Sequence, residues 1–354
     1  AGSRVRFVGT GTIGTDHMDI PWLERQGIRW CFAPGCNANS VSEYLVAALL
    51  HLARRHGFRL AGKTIGVIGV GNVGRKVVEK ARALGLRALQ NDPPRARGEG
   101  GAEFVDLPRL LAASDIVTLH VPLTGAGPDA TCGLAGRDFF GRMKPGAIFI
   151  NAARGPVMVS DELLRALAGP RDLAPGVPRD LASRERETAA QDGEGHIFHA
   201  ILDTWEGEPD FRPDVLARAA LATPHIAGHS YEGKVGGTFM VYRAACEFLG
   251  VPAPWTPDAL MPAPRVPVIA VDARGREDEA ALDEIVRQVY DITADDARLR
   301  AVCVADAAKR AAGFDELRRT YPERREFPAI AVKLANGSDA LRATLAGLGF
   351  RISS

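Results

Sequence analysis

The segment TPHIAGHS, residues 223 to 230, follows an apolar run and sets two histidines, His225 and His229, four positions apart. A histidine titrates near neutral pH and can move a proton, but one histidine alone can equally be a structural residue. What gives His225 weight is its company. Arg154 stands near the end of GAIFINAARG, and Asp203 and Glu208 stand in HAILDTWEGEP. Each of these segments opens as an apolar β-type run. Three strands therefore deliver an arginine, two carboxylates and a histidine at their carboxyl ends. An arginine can hold a carboxylate through paired N–H bonds. A positioned histidine can take a hydroxyl proton, which is typically worth roughly 10²–10⁴-fold in rate.

The elements that must position these residues are legible upstream. In KTIGVIGVGNVGRKVVEKARALG, Lys63 to Gly85, an apolar run enters Gly69, Gly71 and Gly74 at G-x-G-x-x-G spacing. A helical pattern follows, with Val73, Val77, Val78, Ala81 and Leu84 on one face. The next run, LRALQND, ends at Asp92. Gly69 suits a tight turn, Gly71 a close approach of backbone to a pyrophosphate, and Gly74 close helix–strand packing. The helix N-terminus offers free N–H groups to phosphate. Asp92 can accept from ribose hydroxyls and would repel a 2′-phosphate, so NAD is favoured over NADP, with Arg95 and Arg97 nearby as the opposing feature. Ser114 to Thr124 reads as a third strand, Gly146 to Gly155 as a fourth, His199 to Pro209 as a fifth and Ala220 to His225 as a short sixth. Helical segments cover Asp161 to Ala168 and Asp214 to Ala219. Such alternation builds a doubly wound parallel sheet with ligands at the strands' carboxyl ends.

Composition excludes several other classes. The 354 residues suffice for two or three domains, and 46% are hydrophobic. Lys and Arg number 44 against 43 Asp and Glu, a balance that gives no reason to expect nucleic acid or a membrane surface. The five cysteines are scattered without a Cys-x-x-Cys pair, so neither a metal site nor a disulfide framework is expected, and a reducing cytoplasm is. No apolar run has membrane-spanning length and no signal peptide is visible. Arg4 to Gly9 reads as a strand already under way, so further residues are expected before Ala1.

VIGVGNVG, NAARG, LDTWEGEP and TPHIAG resemble the motifs of the NAD-dependent D-isomer-specific 2-hydroxyacid dehydrogenases. FVGTGTIGTDHMD, APGCNANSVSEY, NDPPRA and PHIAGHSYEGK resemble, more narrowly, the branch of that family that oxidises 4-phospho-D-erythronate to 3-hydroxy-2-oxo-4-phosphobutanoate in pyridoxal 5′-phosphate synthesis. LMPAP, VYDITADDARLR and FDELRRTYPERREF do the same, and the likeness covers nearly the whole chain. The resemblance implies His225 as the acid–base, Glu208 as the carboxylate that orients it and Arg154 as the substrate anchor. It implies cofactor contacts at Gly69, Gly71, Asn72, Val73, Gly74, Asp92, Val121, Asp203 and Gly228, and a substrate contact at Thr12. His229 stands where a substrate-binding tyrosine is usual, and it too can donate to a phosphate. Another D-2-hydroxyacid dehydrogenase, or an NAD-binding corepressor without turnover, is the alternative; the latter would need a peptide-docking surface that nothing here suggests.

The implied architecture is α/β: a doubly wound (Rossmann) sheet, a partial flavodoxin-like substrate domain and a C-terminal α+β dimerisation domain that makes a homodimer. Residues 1–40 form part of the substrate domain and 41–225 the NAD-binding domain, with a long Pro-, Gly- and charge-rich surface loop at 169–196. Residues 226–257 hold a return helix (Tyr231 to Gly250) and a proline-rich linker, and 258–354 the C-terminal domain with a strand–helix–strand–helix pattern. Ser40 or Ser42 is the expected cap of the apolar helix up to Arg55. The run RRTYPERRE, Arg318 to Glu326, reads as a solvated charged face.

Overall fold

The computed structural model describes residues 4–167, 197–257 and 261–353. The expected loop at 169–196 lies outside the described residues. At the start of the chain, β1 (Phe7–Gly9) and β2 (Arg29–Cys31) pair in parallel as a two-stranded sheet. The helix Ala38–His56 follows and is buried along almost its whole length from Ala38 to Ala53, with Ser40, Ser42, Glu43 and His51 among the buried residues. Its N-cap is Asn37, not Ser40 or Ser42. Both serines lie inside the first turns, where Ser42 bonds back to the Asn39 carbonyl and Ser40 reaches Ser230 and Glu326.

The central sheet has six parallel strands: β3 (Thr64–Ile68), β4 (Arg87–Asn91), β5 (Ile116–Leu119), β6 (Ala147–Asn151), β7 (Ile197–Leu202) and β8 (Leu221–Ala222). Their order is β4-β3-β5-β6-β7-β8. Every residue of β3, β5 and β6 is buried, which follows when helices cover both faces of a parallel sheet. The order reverses between β3 and β5, and that switch point opens the crevice into which the glycine loop falls.

The C-terminal region carries β9 (Val268–Asp272), β10 (Ala331–Ala335) and β11 (Arg351–Ser353), all parallel, with β10 in the centre. Two helices between β9 and β10, Ile292–Ala301 and Ala307–Arg319, go beyond the expected pattern; each begins on an aspartate whose side chain accepts from a first-turn N–H. This region packs directly on the central domain. Buried Lys80, on the helix Asn72–Ala83, donates to the Leu348 carbonyl at 2.7 Å. Among the described residues no helix is long and apolar enough to cross a membrane.

The junction between the two regions combines a shared hydrophobic cluster with a buried polar network. Glu43 accepts from Asn39 Nδ2 at 2.8 Å and from the Phe327 N–H at 2.9 Å. Glu326 accepts from Asn39 at 2.5 Å and from the hydroxyls of Ser40 and Ser230 at 2.7 Å each. Burial, reinforced by the Glu326 carboxylate and only partly offset by Lys80 and Arg324, pushes Glu43 up to about 8. A raised acid favours the folded state while it is protonated. Its contribution is complete below the ordinary glutamate value and is lost as pH rises through about 8. Glu43→Gln keeps the acceptor and cannot ionise. The melting temperature of the variant relative to wild type is therefore expected to rise between pH 5 and pH 9, roughly the window that linkage assigns to this group. A difference independent of pH in thermal melts would show that Glu43 holds no proton in the native state.

Candidate active site

The glycine loop has the shape that a dinucleotide requires. Gly69 lies at φ 82°, where a side chain would also meet the His120 backbone and Val121. A Cβ on Gly74 would collide with the Gly69 carbonyl, so the helix can approach the strand only with glycine there. At Gly71, by contrast, a Cβ would meet nothing within 4 Å, which leaves room for a ligand. The helix Asn72–Ala83 begins on Gly71 with no side-chain cap, so its first N–H groups remain available to phosphate. Val73 packs against the hydrophobic core and Asn72 lies against Gly35, so the backbone N–H groups are what these two offer a phosphate.

Asp92 closes the loop from the end of β4. It accepts from the Val70 N–H at 2.8 Å and caps the next helix through the Arg95 N–H at 3.1 Å. The two arginines that could have welcomed a 2′-phosphate are already paired. Arg95 bonds Glu99 and the Val70 carbonyl, and Arg97 bonds Asp129. The site fits NAD.

His225 sits at φ 55°, a left-handed backbone rare outside glycine. Asp203 holds it there. The His225 N–H donates to the Asp203 carbonyl at 2.7 Å, the Ile226 and Ala227 N–H groups donate to its carboxylate at 2.8 and 2.9 Å, and Thr223 adds its hydroxyl at 2.6 Å. Asp203 is thus fully buried and committed to this loop, and its burial raises its pKa despite those bonds. Imidazole Nδ1 lies 2.6 Å from Glu208 Oε1. The other Glu208 oxygen accepts from the Trp205 N–H at 3.1 Å. Burial raises the Glu208 carboxyl, but its bond to His225, the imidazolium charge, the Trp205 N–H and the nearby Arg318 together bring it below its ordinary range. An ionised carboxylate at Nδ1 fixes the proton on that nitrogen and leaves the Nε2 lone pair able to accept one.

Arg154 joins this pair through backbone packing. A Cβ on Gly155 would collide with the Trp205 carbonyl, so the arginine is seated directly beside the strand end that carries Glu208. Its Nε donates to Asp16 at 2.9 Å and its Nη1 to the Ala153 carbonyl at 2.8 Å. The loop after β1 thereby lies over the arginine and brings Thr12, whose hydroxyl bonds the Gly14 carbonyl at 2.7 Å and lies 2.8 Å from that of Thr10. Asp16 lies within the segment FVGTGTIGTDHMD, but its pairing with Arg154 joins residues 138 positions apart and has no local signal.

His229 meets Tyr321 edge-on, ring centroids 5.6 Å apart at 78°. Burial, helped by Lys234 and Arg318, holds its pKa down to about 3, so near neutral pH it offers a neutral hydrogen bond and no charge. Gly228 lies against the Asn37 side chain. The run Arg318 to Glu326 is a solvated face only in part: Arg319 and Glu323 are exposed, but Arg324 is 5% and Glu326 7% exposed. Charge alternation hid this, because the partners that bury those charges are far away in sequence.

A parallel sheet with an uncapped glycine loop at its switch point, and an arginine beside a histidine–carboxylate pair at the same edge, defines a nicotinamide-dependent dehydrogenase of hydroxy acids. Residues 43–173 match the family model of the D-isomer specific 2-hydroxyacid dehydrogenase NAD binding domain, and NAD is the cofactor. Residues 260–349 match a model described as a domain of unknown function (DUF3410). The chain is 44% identical to the erythronate-4-phosphate dehydrogenase of Azotobacter vinelandii over 98% of its own length and 84% of the relative's. To that of Salinibacter ruber it is 43% identical, over 92% of this chain and 78% of the relative. The chain belongs to the erythronate-4-phosphate dehydrogenase family. Among solved structures, the TT0316 protein of Thermus thermophilus superposes with a TM-score of 0.52 at 26% identity, covering 69% of this chain and 76% of that one. The NAD+-bound 3-phosphoglycerate dehydrogenase of Entamoeba histolytica, at 23% identity and TM-score 0.54 over 70% and 72% of the two chains, shares the fold.

Asp92→Ala removes the carboxylate at the end of β4 and a helix cap worth about 1 kcal/mol. The ratio of kcat/KM for NAD to that for NADP is expected to fall, and an unmoved ratio would place Asp92 away from the ribose.

Proposed function

We infer that this protein oxidises 4-phospho-D-erythronate at C2 to 3-hydroxy-2-oxo-4-phosphobutanoate. The observation that carries the chemistry is the His225–Glu208 bond at 2.6 Å beside Arg154; the relatives' names supply the substrate. NAD, when bound, accepts the hydride that leaves C2. Arg154 pairs with the substrate carboxylate, exchanging its present Asp16 partner for it, and polarises the C2 oxygen. His225 Nε2 takes the C2 hydroxyl proton. Glu208 stabilises the imidazolium that forms and keeps the ring oriented. Thr12 supports substrate binding from the loop over Arg154, and neutral His229 donates a hydrogen bond toward the phosphorylated end. A homodimer formed through the C-terminal region, and service to pyridoxal 5′-phosphate synthesis, belong to the same reading.

His225→Asn is expected to lower turnover by at least roughly a hundredfold, the scale of lost general-base help, while NAD still binds. His229→Ala should mainly raise KM for the phosphorylated substrate. Steady-state NADH formation from 4-phospho-D-erythronate tests both. A large turnover loss at His229 with little at His225 would reverse the two roles, and absence of NADH from the unaltered protein would remove the activity itself.

A further inference from the structure

We propose that Arg324, on the C-terminal region, is a positioning residue for His225, so that this region forms part of the frame of the active site within its own chain. The inference rests on the reading of His225 as the acid–base. His225 holds a left-handed backbone, a strained conformation that persists only where its surroundings over-determine it. Asp203 grips residues 225–227 from the sheet side. The segment from Tyr321 to Glu326 grips the following residues from the other side.

Arg324 Nη2 donates to the Ala227 carbonyl at 2.7 Å and to the Ser40 carbonyl at 3.2 Å, and the Arg324 carbonyl accepts from the Tyr231 N–H at 2.8 Å. Ala227 is therefore held at both ends, its N–H by Asp203 and its carbonyl by Arg324. The neighbours of Arg324 repeat the pattern. Tyr321 abuts the ring of His229, Arg325 bonds Glu232 at 2.7 Å, and Glu326 accepts from Ser230, whose hydroxyl caps the helix Tyr231–Leu249. The guanidinium is held by its two Nη2 bonds and by the Tyr290 ring, whose centroid lies 4.3 Å away, while Nε and Nη1 are buried without a hydrogen-bond partner among the described residues. Tyr290 and Tyr321 are anchored in turn, since both hydroxyls donate to Asp295. Loss of the Ala227 contact frees the loop to shift, and a shift of about 1 Å at a reacting group can cost about a hundredfold.

The test compares Arg324→Met and Arg324→Lys with wild type by kcat, KM for NAD, the pH profile of kcat and the thermal melt. Arg324→Met is expected to lower kcat by at least about tenfold, within the range given for misplaced groups, with KM for NAD nearly unchanged. The acid limb of its kcat profile should move to lower pH, because an imidazole drawn away from Glu208 loses the partner of its protonated form. Asp203, Glu208, Arg318, Lys234 and His229 keep their own side chains in both variants. The charge lost in Arg324→Met would alone move the limb to higher pH, and Arg324→Lys, which keeps that charge, separates the two effects. Arg324→Lys keeps a charge and a donor within reach of Ala227 and should fold where the methionine variant does not, with an intermediate kcat and limb. Losses that track the folded fraction with an unmoved acid limb, in whichever variant folds, would reduce Arg324 to a structural role and overturn the proposal. NMR titration of the His225 imidazole in the same proteins reads the positioning without substrate, so that failure of the proposed reaction and failure of this inference are separate results.

Discussion

Asp203 is the contact on which the site depends. It is a buried carboxylate at the end of β7, and its oxygens are consumed by Thr223, Ile226 and Ala227 while its carbonyl holds the His225 N–H. Taking a carboxylate out of water costs several kcal/mol unless hydrogen bonds replace the solvent. Here the replacement donors come from the turn that carries the proposed base. The interaction that satisfies a buried charge and the interaction that shapes the turn are one and the same, so the loop cannot relax without stranding the carboxylate.

The same coupling recurs at the boundary between the central and C-terminal regions. Glu43, Glu326, Lys80 and Arg324 are all nearly inaccessible; Asn39, Ser40 and Ser230 join Glu43, Glu326 and Arg324, and Lys80 bonds the Leu348 carbonyl. Apolar packing across the boundary supplies contact area, and the hydrogen bonds within it select the register, because each displaced donor leaves a buried acceptor unmatched, at about 1–3 kcal/mol each. That register reaches the residues just after His225 through Ser230 and Arg324. Rigidity at the boundary is thereby transmitted to the histidine loop.

What the sequence discloses follows from how local each determinant is. The glycine loop, the helix behind it and Asp92 all lie within thirty positions, from Lys63 to Asp92, so period and spacing carry the information. Arg154, Glu208 and His225 could be aligned on one edge because parallel strands point the same way, so each strand end is itself the coordinate. Other features resisted for the opposite reason. Ser40 looks like a cap by type, yet its partners Ser230 and Glu326 are 190 and 286 residues away. Arg324 sits in a run whose composition signals water, and only folding brings the Ala227 carbonyl and the Tyr290 ring to it. Asp16 is similar: its role depends on which arginine the first loop is laid across.

Trp205 explains why the three proposed catalytic groups move as one. Its backbone N–H bonds Glu208, its indole N–H bonds the Thr223 carbonyl at 2.9 Å, and its own carbonyl lies against Gly155. The ring is 1% exposed and packs on Phe211, which in turn meets Phe314 of the C-terminal region. One buried residue therefore sets the height of the Arg154 backbone, the orientation of the Glu208 carboxylate and the entry of the chain into the His225 turn. A dense interior transmits small displacements rather than absorbing them. The proposed proton transfer at Nε2 and carboxylate pairing at Arg154 must address neighbouring atoms of one small substrate. A common support at Trp205 keeps the separation of the two groups fixed even where each stands on a different strand.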